Sequence, residues 1–167
     1  MNGTKKQQKK NQNTKKKMKT LAHNKRAKYD YEILETYEAG IVLKGHEVKA
    51  VKTGKVSLKG SFVVIRNKEP YLINATISPY QPANTPPEYN PERTRKLLLK
   101  KSEINSLIGK SKQKGLTLIP LKLYTKKNKI KLEFGIGRGK RKKDKREAIK
   151  KKEADREMKR ALKHRGR

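Results

Sequence analysis

The chain has no cysteine and no tryptophan, and only 15 of its 167 residues are acidic. Without cysteine, disulfide scaffolds, Cys-based zinc sites and thiol catalysis are excluded. No uninterrupted apolar run approaches the roughly 18–20 residues of a membrane-spanning helix. Apolar residues make up 32% of the chain, against roughly 45–50% in globular proteins. That share and length suit one sizeable core, not two. Catalytic constellations are missing as well. His23, His46 and His164 lie far apart without metal-ligand spacing such as HExxH. The carboxylates of the middle are scattered and specify no acid–base pair. The expectation is a chain that is not an enzyme and takes no cofactor and no metal.

What the chain does have is positive charge. Lys and Arg number 47, for a formal net charge of +32. Such a monomer repels itself, so an anionic partner is the first expectation, either nucleic acid or an acidic membrane surface. The charge divides unevenly. Residues 1–28 carry ten Lys, one Arg and no acid, and residues 138–167 carry sixteen basic and five acidic residues, +11 in each case. The intervening 109 residues carry only +10. The ends cannot offset roughly 1–2 kcal/mol of backbone entropy per residue by burying a core; the middle can. The organisation expected is a disordered Lys-rich arm (1–20), a folded body (21–137) and a basic tail (138–167). The arm is read either as a solvated tail or as a basic arm that grips RNA. It contains no apolar stretch of the signal-peptide kind, and the cytoplasm is the expected compartment.

The body reads as β-rich. Residues 31–37 alternate as a strand, and residues 38–43 suggest a helical turn. His46, Val48, Ala50 and Lys52 alternate as a second strand. Phe62–Arg66 and Tyr71–Ala75 flank a turn, a hairpin signal. Residues 79–91 hold five of the seven prolines, which fits neither strand nor helix. A helix is expected over Glu103–Lys112, capped by Ser102. A strand with a bulge at Pro120 and a last strand over Ile130–Phe134 follow, joined by a turn at Lys127–Asn128. Antiparallel strands with short connections point to a mainly β fold, a small closed barrel of OB-like topology with flanking helices. Gly135, Gly137 and Gly139 read as a hinge leading out of it, since they lack the spacing of a phosphate-binding loop.

RNA contacts are sought among exposed cations. Arg93 and Arg95, at i and i+2 in an extended stretch, would share one side and offer planar forks to phosphate or base edges; a solvated basic segment is the alternative. Asn24-Lys25-Arg26-Ala27-Lys28 would lay donors along a backbone or serve only as a linker. In the tail, Ala154, Met158, Ala161 and Leu162 make a narrow apolar stripe at helical spacing. A helix there is expected to fold on an RNA surface; an amphipathic membrane helix is the competitor, and this stripe has no Trp or Phe.

These pieces occur in a recognisable order: Leu21-Ala22-His23-Asn24-Lys25-Arg26-Ala27, Tyr37-Glu38-Ala39-Gly40-Ile41, Gly45-His46-Glu47-Val48-Lys49, Arg93-Thr94-Arg95-Lys96-Leu97-Leu98-Leu99 and Gly139-Lys140-Arg141-Lys142-Lys143-Asp144-Lys145-Arg146. Over about residues 20–165 the chain resembles the bacterial SsrA-binding protein family, small protein B. The resemblance implies an OB-like barrel with a basic tail that is helical on the ribosome. It implies a monomer that binds the tRNA-like domain of transfer-messenger RNA and delivers it to stalled ribosomes for trans-translation, without chemistry of its own and without a membrane. It places RNA-binding positions at Asn24, Glu38 and Leu98, with Lys25, Arg26, Glu47, Lys49, Arg93, Arg95 and Lys96 in the neighbouring motifs. Glu47 and Glu38 are expected to hold nearby Lys or Arg side chains, or to accept from base edges. Gly139, Lys140, Asp144, Lys145 and Arg146 are tail positions for the small-subunit decoding region and message channel. Lys143 stands where many members have His. An rRNA-binding ribosomal protein is the alternative.

Overall fold

A computed structural model describes residues 18–165. In chain order the elements are β1 (Lys19–His23), α1 (Ala27–Asp30), β2 (Tyr31–Ile41), α2 (Gly45–Lys52), β3 (Val56–Ser57), β4 (Phe62–Arg66), β5 (Glu69–Ile73), β6 (Thr76–Ile77), β7 (Arg95–Leu98), α3 (Lys101–Ser111), β8 (Leu116–Lys126), β9 (Lys129–Gly139) and α4 (Lys142–Arg165). Most of the expected arm lies outside the described residues; Lys19 and Thr20 pair with Thr125 and Tyr124.

The main sheet is antiparallel throughout. Pairings pass from β8 to β4, β5, β7, β2 and β9, and β9 pairs with β8 again. The result is a barrel-like sheet whose thinnest seam is one residue pair, Val63 with Leu118. β1 adds to β8 outside that circuit. β8 pairs with β9 along its length and with β1 and β4 at separate stretches, and its register with β9 shifts between Pro120 and Lys122. Proline has no N–H for the ladder, so a bulge is the natural place for it. The two hairpin turns are local chemistry. Asn67-Lys68 and Lys127-Asn128 have positive φ at both residues (49° and 60°, 49° and 64°), the left-handed geometry that matches strand twist in two-residue loops.

Leu72, Leu97, Leu123, Leu132, Phe134 and Ile136 fill the interior, and Leu107 of α3 covers one end. Tyr37 stacks on Phe134 at 5.7 Å between ring centroids.

Four expectations change. The segment expected as a second strand is α2, with Glu47, Ala50 and Val51 buried on one helical face. Its start is fixed when the Lys44 N–H donates to Glu47 Oε2 at 2.8 Å, satisfying an orphan donor of the first turn. Residues 38–41 of the expected turn belong to β2, and 42–43 lie in the link to α2. Ser102 lies inside α3, while Glu103 accepts from the Lys100 N–H at 3.0 Å. Finally, the glycines read as a hinge belong to β9. A Cβ on Gly135 would lie 2.7 Å from Ile33 Cγ2, and one on Gly137 would lie 2.8 Å from Ile119 Cδ1. At Gly135 and Gly137 the role is close approach of side chains from β2 and β8, not freedom of the chain; Gly139, at the end of β9, has open space around it.

Candidate nucleic-acid interface

β7 determines which of its residues face outward. Arg95 and Leu97 are buried, and Lys96 and Leu98 are exposed. The expectation that Arg93 and Arg95 both offer forks to RNA is therefore corrected. Arg95 is 0% exposed, as is Glu47. The Arg95 Nε and Nη2 donate to Glu47 Oε1 at 3.0 and 2.9 Å. Its remaining donors go to the carbonyl oxygens of Ala75 at 2.6 Å, Pro91 at 2.8 Å and Arg93 at 3.0 Å. Half-buried Arg93 donates through Nε to Glu47 Oε1 at 2.9 Å and through Nη2 to Oε2. Burial pushes the Glu47 carboxyl up, but the Arg93 hydrogen bond, the Lys44 N–H and the Arg95 charge together hold it below the ordinary carboxylate range. Glu47 thus holds arginines, as one sequence expectation had it. Neither it nor Arg95 is available at the surface. Together they tie β7 to the connection between β6 and β7, through the Ala75 and Pro91 carbonyls.

That connection, residues 78–94, is ordered by its own contacts. Tyr89 Oη donates to the Ile77 carbonyl at 2.6 Å, and the Ile77 N–H donates to the Pro91 carbonyl at 3.0 Å.

The outer face of β7, β2 and β9 offers groups that RNA can reach. Leu98 is 54% exposed and pairs across the strands with Gly40. With Ile41, Leu43, Val48 and Ile130 it lines an apolar groove of about 390 Å³, rimmed by Lys129 and Lys131. Glu38 stands on the same outer face of β2. Tyr124 Oη donates to its carboxylate, and Lys126 Nζ donates at 2.9 Å. Those two hydrogen bonds, Tyr124 first, hold the Glu38 carboxyl low; burial, then Glu38 itself, push the Tyr124 hydroxyl up. The acid is neutralised locally, so it does not present a bare negative charge to phosphate. Lys96 is paired with Glu69, and that hydrogen bond raises its pKa.

Asn24 sits where β1 gives way to α1. Its Nδ2 donates to the Pro120 carbonyl at 3.0 Å, and its N–H donates to the Leu121 carbonyl at 2.8 Å. It thereby clips the entry of α1 onto the β8 bulge, leaving Lys25 and Arg26 exposed beside it. Lys49 is exposed on α2. The sequence-selected residues therefore fall into separate groups: the outer sheet face, the α1 corner and the buried Glu47 network.

The tail begins at the α1 corner. Gly139 ends β9. The Lys140 N–H donates to the Asp30 carbonyl and its Nζ to the Lys28 carbonyl, both at 2.9 Å. Asp144 accepts from the Arg141 N–H at 3.2 Å, an N-terminal cap for α4. Lys145 Nζ donates to Asp30 Oδ1 at 2.8 Å and lies 5.8 Å from the Tyr29 ring centroid. That hydrogen bond holds the Asp30 carboxyl low. Arg146 is exposed, and farther along α4 Met158 and Leu162 are 63% and 65% exposed. Sequence reasoning missed Asp30, Tyr124 and Lys126. Each acts on a partner far away in the chain, and no local pattern marks them.

A barrel-like antiparallel sheet with exposed cations, a neutralised acid and a bare leucine on one face defines a nucleic-acid-binding class of protein. A family model described as "SmpB protein" matches residues 21–164, and the chain belongs to that family. The SsrA-binding protein of Thermosynechococcus vestitus is 51% identical over 148 residues, covering 89% of this chain and 97% of that one. The SsrA-binding protein of Anoxybacillus flavithermus is 54% identical over 149 residues, covering 88% and 95%. Among solved structures, a chain described as "tmRNA-SmpB: a journey to the center of the bacterial ribosome" is 50% identical with a TM-score of 0.61, covering 76% of this chain and 92% of that one.

Proposed function

We propose that the chain binds the tRNA-like domain of transfer-messenger RNA and accompanies it into stalled ribosomes, where it serves trans-translation without performing chemistry. The observation that carries this reading is the outer face of β2 and β7. A leucine 54% exposed on a β-strand serves no core, and it stands beside exposed lysines and a locally neutralised Glu38. Such a face suits apolar packing on an RNA surface with phosphate contacts around it. The names of the relatives and of the structural neighbour support the same partners.

On this reading Leu98 and Glu38 belong to one contact surface, and Asn24, Lys25 and Arg26 to a second at the α1 corner. Lys96 and Lys49 contribute charge. Glu47, Arg93 and Arg95 position the loop between β6 and β7. The tail from Gly139 meets the ribosome, with Lys140, Asp144 and Lys145 fixing its root and Arg146 turned outward. The compartment is the cytoplasm.

The test is a competition at physiological salt between a tRNA-like acceptor–elbow RNA and rRNA fragments of equal length. Salt must be fixed because phosphate contacts make affinity fall steeply with ionic strength. Preference for the tRNA-like RNA is expected. Equal affinity for all fragments would favour a general rRNA-binding protein instead.

A further inference from the structure

We propose that the cleft between α1 and the turn joining β3 to β4 holds one unstacked nucleotide of the bound RNA, with Lys59 and Arg26 on its phosphate. The proposal rests on the RNA-binding reading and adds a site and a ligand state to it.

The cleft measures about 490 Å³, within the roughly 300–1,000 Å³ of small-ligand sites. Its lining has two characters. Ala27, Tyr31, Phe62 and Ile119 give it an apolar wall, of the kind that receives the face of a base. Arg26 and Lys59 supply cations. Among the described residues Lys59 has no ion pair. Arg26 has only Asp30, at 3.6 Å, with 68% of its side chain exposed. Asp30 is held more closely by Lys145, at 2.8 Å, so Arg26 can turn to a phosphate without leaving an unpaired carboxylate behind. Asn24 spends its Nδ2 on the Pro120 carbonyl, which fixes the amide and leaves its Oδ1 as an acceptor for a base edge or a 2′-hydroxyl.

A second hollow, lined by His23, Lys25 and Ser57, shares Asn24, Arg26 and Lys59 with the first. The two form one track for the nucleotides on either side, lined by Lys25, Arg26 and Lys59, with Asp30 as its one carboxylate and paired to Lys145. A paired base cannot enter the cleft while it stays in its helix, so the occupant comes from an unpaired loop or is flipped out.

The experiment exploits the absence of cysteine. A photoactivatable aryl azide is attached to T117C at the cleft, and to S102C on α3 as a control; both positions are exposed. Each full-length protein is crosslinked to the tRNA-like domain RNA, and the modified nucleotide is mapped. The dissociation constant of K59A is measured in parallel. One unpaired nucleotide is expected to react with T117C and not with S102C. K59A is expected to weaken binding roughly tenfold, the scale of one lost charge-assisted phosphate contact. Crosslinks spread along paired strands, no crosslink from T117C, or an unchanged K59A affinity would overturn the cleft. Failure of the unmodified protein to prefer tRNA-like RNA would instead remove the reading on which the cleft rests, and the cleft with it.

Discussion

Asp30 and Lys145 stand 115 positions apart, yet the carboxylate of one accepts a hydrogen bond from the ammonium of the other at 2.8 Å. Asp30 ends the helix whose first residues follow Arg26, and Lys145 lies in the first turn of the tail helix. One carboxylate therefore joins the α1 corner to the root of the tail. D30N should loosen that root without disturbing the sheet. Amide hydrogen exchange is expected to quicken at Lys145 and Arg146, while the urea midpoint stays nearly constant, because partly exposed pairs contribute only about 0–1 kcal/mol. Unchanged exchange in the first turn of α4 would show that the contact restrains nothing.

The Glu47–Arg95 pair should behave in the opposite way. R95A leaves a buried carboxylate with one fewer partner and takes a donor from three carbonyl oxygens, those of Ala75, Pro91 and Arg93. A loss of about 3–5 kcal/mol is expected, measured by urea denaturation, with RNA binding lost along with the fold. R93A should cost less, because Arg93 is half-buried and Arg95 still holds Glu47. A stably folded R95A with weakened RNA binding would return Arg95 to the contact surface.

L98D tests the reverse case. Leu98 packs into no core, so its replacement should change stability by no more than about 0.5 kcal/mol. Affinity for the tRNA-like RNA should fall at least tenfold, since a charge of phosphate's own sign enters an apolar contact. Equal binding by L98D and the parent in a filter assay would move the interface off this face.

Stability should be flat in neutral solution and fall in acid. Glu47 and Glu38 are both held below their ordinary carboxyl value of 4.5 in the folded chain. A group of that kind adds stability once the pH is above its unfolded value, and the gain disappears as the pH falls through its folded value. The urea midpoint should therefore hold from about pH 8 down to about pH 5 and then drop. E47Q should blunt the drop. An equal slope in the parent and in E47Q would show that the buried network is not its source.

G137V should destabilise the sheet. The added carbons would meet Ile119 and also the Glu32 carbonyl, which already lies 2.9 Å from the Cβ position. Overpacking of this kind costs about 1–3 kcal/mol. A wild-type thermal midpoint for G137V would restore the idea that these glycines serve freedom rather than packing.

The contrast between these residues shows where the sequence was legible. The hairpin turns at Asn67-Lys68 and Lys127-Asn128 and the bulge at Pro120 could be read, because each follows from the chemistry of one or two adjacent residues. The segment over α2 could not. Over eight residues, Val48, Ala50 and Lys52 alternate as a strand would, while Glu47, Ala50 and Val51 fit a helical face equally well. Arg93 and Arg95 look alike locally, and only the inward register of β7 and a glutamate 48 positions away bury one of them. Gly135 and Gly137 resembled a hinge because the side chains that crowd them come from β2 and β8. The five ordered motifs pointed to the family, but not to Asp30, Tyr124 or Lys126, whose partners are distant in sequence.

Arg95 grips the carbonyl oxygens of Ala75 and Pro91 at once. The two ends of the proline-rich connection are thus held together from inside the body as well as by the Ile77 N–H on the Pro91 carbonyl. An insertion between those anchors would leave both of them in place. Doubling a flexible loop between fixed ends costs only about 0.6 kcal/mol. Residues 82–87, all beyond that grip, are a natural place to insert a fluorophore-binding tag or an affinity peptide and follow the protein through the ribosome without touching either surface assigned to RNA.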